Sequence, residues 1–369
     1  MNDLGKLIAQ IEPVPQSWAS RAMARQDSLT KPPGSLGLLE KIASRVAAIQ
    51  RSLSPNVGHK RILVFAADHG VVEEGVSPYP QEVTAQMVAN FLRGGAAINA
   101  MARAAAAEVV VINIGVKHQI PPVELGDPST HFIDRPVRNG TRNLLREPAL
   151  TTDEAIAATM IGAEIAMQAA AAGVGLIGLG EMGIGNTTAS AAITAALTGS
   201  PSSAVTGRGT GADDEMLARK QSVVGQALEL HADQLSDPLG MLSAIGGLEV
   251  AGLAGVCLGA AANRLPVVLD GFITTAGAAI AVEMCPAVAD YLFAGHLSVE
   301  RGHAILLERL RLQAMLNLEM RLGEGTGAAI AMKVIESAVR AFTEMATFDS
   351  AGVSGQDALK DALNPKALN

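Results

Sequence analysis

RILVFAADHG, residues 61–70, runs six apolar residues together, from Ile62 to Ala67, before turning polar at Asp68, His69 and Gly70. An unbroken apolar run without alternation fits a strand buried on both faces, the situation inside a parallel sheet. The pattern recurs at AEVVVINIGV (107–116), VGLIGLGEMG (174–183), SSAVTGRGTG (202–211) and LPVVLDGFIT (265–274), and more weakly at ADYLFAGHLS (289–298). Amphipathic or Ala-rich helices are expected between them, at 84–104, 187–198, 213–232, 299–317 and 326–345. Another starts at Thr151, where Glu154 completes a capping box, and runs to about Gly173. Strand, loop and helix in repetition predict a doubly wound, mostly parallel Rossmann-like α/β sheet flanked by helices. The glycine-bearing loops then fall at the carboxyl edge of the sheet, where such folds bind ligands.

The chain ends read differently. SWASRAMARQDSL (17–29) and LGLLEKIASRVAAIQRSL (36–53) carry apolar residues at helical spacing, joined by the turn TKPPGSLG (30–37). A small helical domain is expected from residues 1–58 plus 330–369, with the α/β domain at 59–329.

Composition narrows the function. The 369 residues are 49% hydrophobic and 17% charged, a globular balance, with aromatics at only 3%. A net charge of −8 without a basic cluster argues against a nucleic-acid surface. Cys257 and Cys285 sit in apolar surroundings with no CxxC spacing and are read as reduced, buried thiols. No signal-peptide pattern opens the chain, and 155–177 and 250–262 are read as buried helices rather than membrane spans. A soluble cytoplasmic protein without membrane insertion is expected.

Four loops carry chemistry. In GEMGIGNTT (180–188), Gly183, Gly185, Asn186, Thr187 and Thr188 precede an Ala-rich helix; this suits either a phosphate or a tight βα turn. It is neither a Walker A nor a GxGxxG motif, and Glu181 sits just ahead of it. TGRGTGADD (206–214) places Asp213 and Asp214 as helix caps, with Lys220 about two turns on, a phosphate contact only if the fold returns it to a loop. Asp68 and His69 lack any HxxxH, HExxH or CxxC partner and are read as hydrogen-bonding the strand end; Asp270 is read as structural. No GxSxG elbow marks a serine hydrolase. In RLGEGTGAA (321–329), Glu324 stands between two glycines where a phosphate cradle would exclude a carboxylate.

Taken in order, KPPGSLG, ADHGVVEEGVS, EVTAQMV with NFLRGGAAIN, GEMGIGNTT, TGRGTGADD, LDGF, GHLS and RLGEGTGAA make the chain resemble the nicotinate-nucleotide–dimethylbenzimidazole phosphoribosyltransferases of cobalamin biosynthesis. The likeness spans residues 31–329. It implies transfer of a 5-phosphoribosyl group from nicotinate mononucleotide to 5,6-dimethylbenzimidazole, by a homodimer that needs no metal or other cofactor. It further implies Glu324 as general base. Glu181, Gly183, Asn186, Gly209 and Lys220 fall to the nucleotide's phosphate and ribose, and Tyr79, Met87, Ser298 and Leu322 to the benzimidazole. Some relatives place a serine and a glutamine where Tyr79 and Met87 stand. Two other readings stay open: a nucleotide hydrolase that sends the ribosyl group to water, and a non-catalytic nucleotide-binding protein.

Overall fold

The computed structural model describes residues 3–209 and 211–354. Seven strands, β1 (Lys60–Ala67), β2 (Ala107–Gly115), β3 (Thr130–Asp134), β4 (Leu176–Met182), β5 (Val267–Leu269), β6 (Leu292–His296) and β7 (Ala314–Leu316), form one sheet in the order β3-β2-β1-β4-β5-β6-β7. Every pairing is parallel. The chain winds outward from β1 to β3, then returns to place β4 on the other side of β1. The topological switch point therefore lies between β1 and β4, and ligand sites of such sheets form beyond it.

The helices are α1 (Asp3–Ile8), α2 (Gln16–Ser28), α3 (Leu38–Gln50), α4 (Glu82–Leu92), α5 (Ala97–Ala105), α6 (Thr152–Ala171), α7 (Asn186–Thr198) and α8 (Ser202–Val205). They continue as α9 (Asp214–Leu230), α10 (Pro238–Ile245), α11 (Leu248–Ala262), α12 (Phe272–Met284), α13 (Arg301–Arg309), α14 (Thr326–Glu344) and α15 (Phe348–Ala351). Helix α6 begins at the expected box: Thr151 Oγ1 accepts from Glu154 N at 3.1 Å and Glu154 Oε2 accepts from Thr151 N at 2.7 Å. Helix α11 is buried almost all round and packs on α6 and on β1, β2 and β4. A Cβ on Gly162 would overlap the carbonyl of Gly252, and one on Gly255 that of Thr159. The α6–α11 backbones thus approach as only small residues permit, which is how a core with few aromatics reaches native density.

Two compact units emerge. Of the described residues, those up to 13 and those within 58–333 form the larger, and 14–57 with 334–354 the smaller. Residues 3–13 thus group with the α/β unit rather than with the helical one: Leu4 and Leu7 are buried, α1 packs on α11, and the Tyr291 hydroxyl donates to the Glu12 carbonyl at 2.7 Å. Residues 355–369 of the expected helical domain lie outside the described residues. In the smaller unit the KPPGSLG turn is held by Glu40, which pairs with Lys31 at 2.8 Å and accepts N–H bonds from Gly34 and Leu36.

Four details depart from the pattern reading. The described residues of 202–211 form no strand: Pro201 opens the four-residue α8, and β4 pairs directly with β5. The helix expected at 84–104 breaks at Gly94 and Gly95 into α4 and α5, Gly94 lying at φ +79°. The one expected at 299–317 stops at Arg309 and gives way to β7. Strand β3 was missed because its residues are mostly exposed, so the buried-run signal is absent at the sheet's edge. No helix among the described residues is long and apolar enough to cross a membrane.

Candidate active site

Beyond the carboxyl ends of β1, β4, β5 and β6 opens a cavity of about 370 Å³. Its walls come from the segments after β1 (76–87), after β4 (181–187), before α9 (208–209) and after β5 (271–273). The loop after β6 (296–300) and the turn before α14 (321–324) complete them. All ten residues nominated from the sequence line this one space. Asp68, by contrast, works behind the wall. Its carboxylate accepts from Thr84 Oγ1 at 2.7 Å and from Lys117 N at 2.8 Å, while Thr84 Oγ1 accepts from Ile184 N at 3.2 Å. That chain braces the 182–187 loop from β1.

Glu324 has φ +65° and stands between Gly323 at φ +85° and Gly325 at φ +92°. Three successive left-handed residues turn the chain back on itself, and only the flanking glycines adopt that conformation freely. The Glu324 side chain lines the cavity yet is only 5% exposed. Its Oε2 accepts from Ile98 N, in the first turn of α5, at 3.2 Å. Burial raises its pKa, the Ile98 N–H opposes the rise, and the neighbouring Asp270 charge adds to it.

Glu181 ends β4 beside this turn. A Cβ on Gly323 would sit 2.5 Å from Glu181 Oε1, so glycine is what lets the two loops close up. Its Oε2 accepts a short hydrogen bond from Asn186 Nδ2. Burial first, then the charges of Glu249 and Asp270, push the Glu181 pKa to about 8 against the Asn186 bond. Near neutral pH this carboxyl therefore carries its proton. Glu249, at the start of α11, pairs with His69 at 2.6 Å, both side chains being fully buried. Burial works against the imidazolium, but the Glu249 charge and hydrogen bond outweigh it and raise the His69 pKa. His69 thus serves the buried network through α11 rather than hydrogen-bonding the strand end.

Helix α7 starts at Asn186 after Gly185, which adopts φ +98°. In its first turn Asn186 N donates to the Gly183 carbonyl at 3.2 Å and Thr188 N to that of Gly185 at 3.0 Å, and the turn carries the positive end of the helix dipole. Lys220 returns from α9 to this terminus: Nζ donates to Thr187 Oγ1 at 3.0 Å and lies beside Gly209. Burial lowers the Lys220 pKa while Glu300 opposes the shift. Arg208 adds a second cation. Asp213 caps α9 by accepting from Met216 N at 2.8 Å, and Asp214 pairs with Arg208.

The apolar part of the lining comes from Tyr79, 46% exposed, Leu322, 51% exposed, Met87 and Val83, and Ser298 beside them in the lining is buried. The residues that sequence reasoning missed are those paired over long separations: Glu249 with His69, and Asp270 with the turn after Glu324. His296, Arg208 and Glu300 also line the cavity; GHLS carried the only sequence signal for His296. Among the described residues, no group of three or more His, Cys, Asp or Glu side chains is arranged to hold a metal ion.

An all-parallel sheet of this order, with an anion-ready helix start and buried carboxylates sharing one crevice at its switch point, defines an α/β enzyme. A protein-family model described as Phosphoribosyltransferase matches residues 11–353. The nicotinate-nucleotide–dimethylbenzimidazole phosphoribosyltransferase of Citrifermentans bemidjiense is 52% identical over 354 residues, 96% of this chain and 99% of that protein. That of Geobacter sulfurreducens is 52% identical over 357 residues, covering 97% of this chain and all of the relative. The crystal structure of CobT from Thermus thermophilus superposes with a TM-score of 0.85 at 50% identity, covering 92% of this chain and 99% of that one. The chain belongs to the nicotinate-nucleotide–dimethylbenzimidazole phosphoribosyltransferase family.

Proposed function

We propose that the enzyme transfers the 5-phosphoribosyl group of nicotinate mononucleotide to 5,6-dimethylbenzimidazole, giving α-ribazole 5′-phosphate, nicotinate and a proton. The observation that carries this reading is Glu324, a buried carboxylate on a glycine-flanked turn that lines the same cavity as the helix terminus suited to phosphate. A nucleotide fits along this cavity. Its phosphate meets the N-terminus of α7 with Lys220, Thr187 and Arg208, Gly183 and Gly209 giving the backbone room and Asn186 holding Glu181 toward the ribose. The flat acceptor lies between Tyr79, Met87 and Leu322, with Ser298 at its edge.

The chemistry suits this arrangement. Nicotinate leaves as a neutral pyridine nitrogen because its glycosidic nitrogen begins positively charged, so it needs little acid help. One benzimidazole nitrogen forms the new bond to the anomeric carbon from the opposite face, inverting it, and the ring N–H must then lose its proton. Glu324 accepts that proton; burial, by raising its pKa, makes it a better base near neutral pH. Glu324, anionic until it takes that proton, favours the positive charge that develops on the sugar.

The test mixes purified protein with nicotinate mononucleotide, with and without 5,6-dimethylbenzimidazole, and follows nicotinate release and product mass. Release that requires the benzimidazole supports transfer; equal release without it makes the protein a hydrolase. Glu324→Gln is expected to bind the nucleotide while turnover falls ~10²–10⁴-fold. Turnover near wild type in that variant removes the base assignment. We also place the enzyme in the cytoplasm as a homodimer, for which sedimentation equilibrium at twice the chain mass is the check.

A further inference from the structure

Helix α14 begins directly after the Glu324 turn, and its first N–H groups have no side-chain cap from their own segment, since Gly325 and Gly327 carry none. The cap comes from the residue just after β5 instead. Asp270 Oδ1 accepts from Gly327 N at 2.6 Å and from Ala328 N at 3.1 Å, and Oδ2 accepts from Gly325 N at 3.1 Å. Asp270 is 1% exposed and is not among the residues that line the cavity. It therefore cannot touch a substrate; what it touches is the backbone next to Glu324.

The left-handed Glu324 backbone costs of order 1 kcal/mol and persists only where its surroundings fix it. Three hydrogen bonds from one buried carboxylate are such a fixture. We propose that Asp270 is a positioning residue for Glu324: by gripping the N–H groups of Gly325, Gly327 and Ala328 it holds the turn that aims the base into the cavity. This rests on the reading of Glu324 as the base. The titratable groups facing Asp270 are His296 from β6, whose Nε2 lies 3.7 Å from Oδ1, Glu324 from the turn and Glu181 from β4. Replacing Asp270 by Asn thus removes the Oδ2 acceptor for Gly325.

The experiment is a double-mutant cycle of wild type, Asp270→Asn, Glu324→Gln and the double variant. Each is measured for kcat and for KM of nicotinate mononucleotide at saturating benzimidazole across pH. Asp270→Asn is expected to lower kcat by ~10²-fold, the scale of a misplaced reacting group, while KM moves less than about twofold. In the Glu324→Gln background the same change is expected to alter kcat less than about threefold. Equal losses in both backgrounds, or a raised KM with kcat intact, overturn the proposal. Should Glu324→Gln alone retain turnover, the base reading itself fails, an outcome separable from the first two. If Asp270→Asn does not fold, Asp270→Ser keeps one acceptor without the charge and enters the same cycle.

Discussion

Gly178 and Gly180 lie two residues apart on one face of β4, and alanine at the two positions should behave oppositely. A Cβ at Gly180 would stand 2.6 Å from the carbonyl carbon of Glu324 and 2.7 Å from Gly325 N, and closer still to the Glu324 carbonyl oxygen. The first distance is about 0.8 Å short of the 3.4 Å at which ordinary contact begins. Backbone on both sides cannot rotate away, so the turn must shift by nearly that amount. Overpacking of this kind costs ~1–3 kcal/mol, and a displacement near 1 Å at a reacting group costs up to ~10²-fold in rate. At Gly178 the nearest atom is the Met332 Cε at 2.8 Å, followed by Ile62 Cγ1 at 3.3 Å and Ala328 Cβ at 3.4 Å. A terminal methionine methyl swings aside cheaply, and alanine gains ~0.4–1 kcal/mol by restricting the unfolded chain. Gly178→Ala should therefore match wild type in urea midpoint and in kcat at saturating substrates. Gly180→Ala should lose both. A Gly180→Ala variant with wild-type kcat would refute the claim that β4 sets the position of the base, as would equal losses in the two variants.

Two further outcomes follow from the charged groups of the cavity. Lys220→Ala should raise KM for the nucleotide by roughly 10–100-fold, the worth of a charge-assisted hydrogen bond, with a smaller change in kcat; an unchanged KM would separate Lys220 from the phosphate. Glu181 titrates at about 8 in the folded protein against an ordinary 4.5, so between those values the native state holds a proton that the unfolded chain has released. Stability then falls as pH rises through that window, by at most about 1.4 kcal/mol per unit. Glu181→Gln, neutral throughout, should show a flatter decline between about pH 5 and about pH 8 in urea unfolding, and an unaltered slope would deny that Glu181 is protonated.

Much of the fold was legible because the central strands are buried on both faces. Strands β1, β2 and β4 spell this out in unbroken apolar runs, and the loops behind them fall where the cavity lies. Edges carry no such mark: THFID in β3 is mostly exposed, β7 has three half-buried residues, and SSAV resembled a strand until Pro201 turned it into a helix start. Glu324 was conspicuous as a carboxylate where glycines suggest an anion site. Asp270 was not, because its meaning lies in N–H groups 55 to 58 positions away, and the His69–Glu249 pair spans 180. Local pattern reports what a segment prefers; it is silent on which distant backbone a side chain will cap.

The Glu324 turn shows why the two kinds of information meet at the site. Its conformation is intrinsically unfavourable, so the sequence spends glycines on both sides to make it accessible at all. Accessibility alone would leave the carboxylate free to sample many directions. The restraint is supplied from three other elements: Ile98 N–H of α5 on the carboxylate, Gly180 of β4 beneath the backbone, and Asp270 beyond β5 on the helix start. Each acts on an atom that only correct sheet order and register bring within reach, and none of the three is itself required to meet substrate. The direction of the Glu324 carboxylate is therefore a property of the whole β5–β4–β1 arrangement. A change at a strand glycine or a capping aspartate should be read in kcat before it is read in binding.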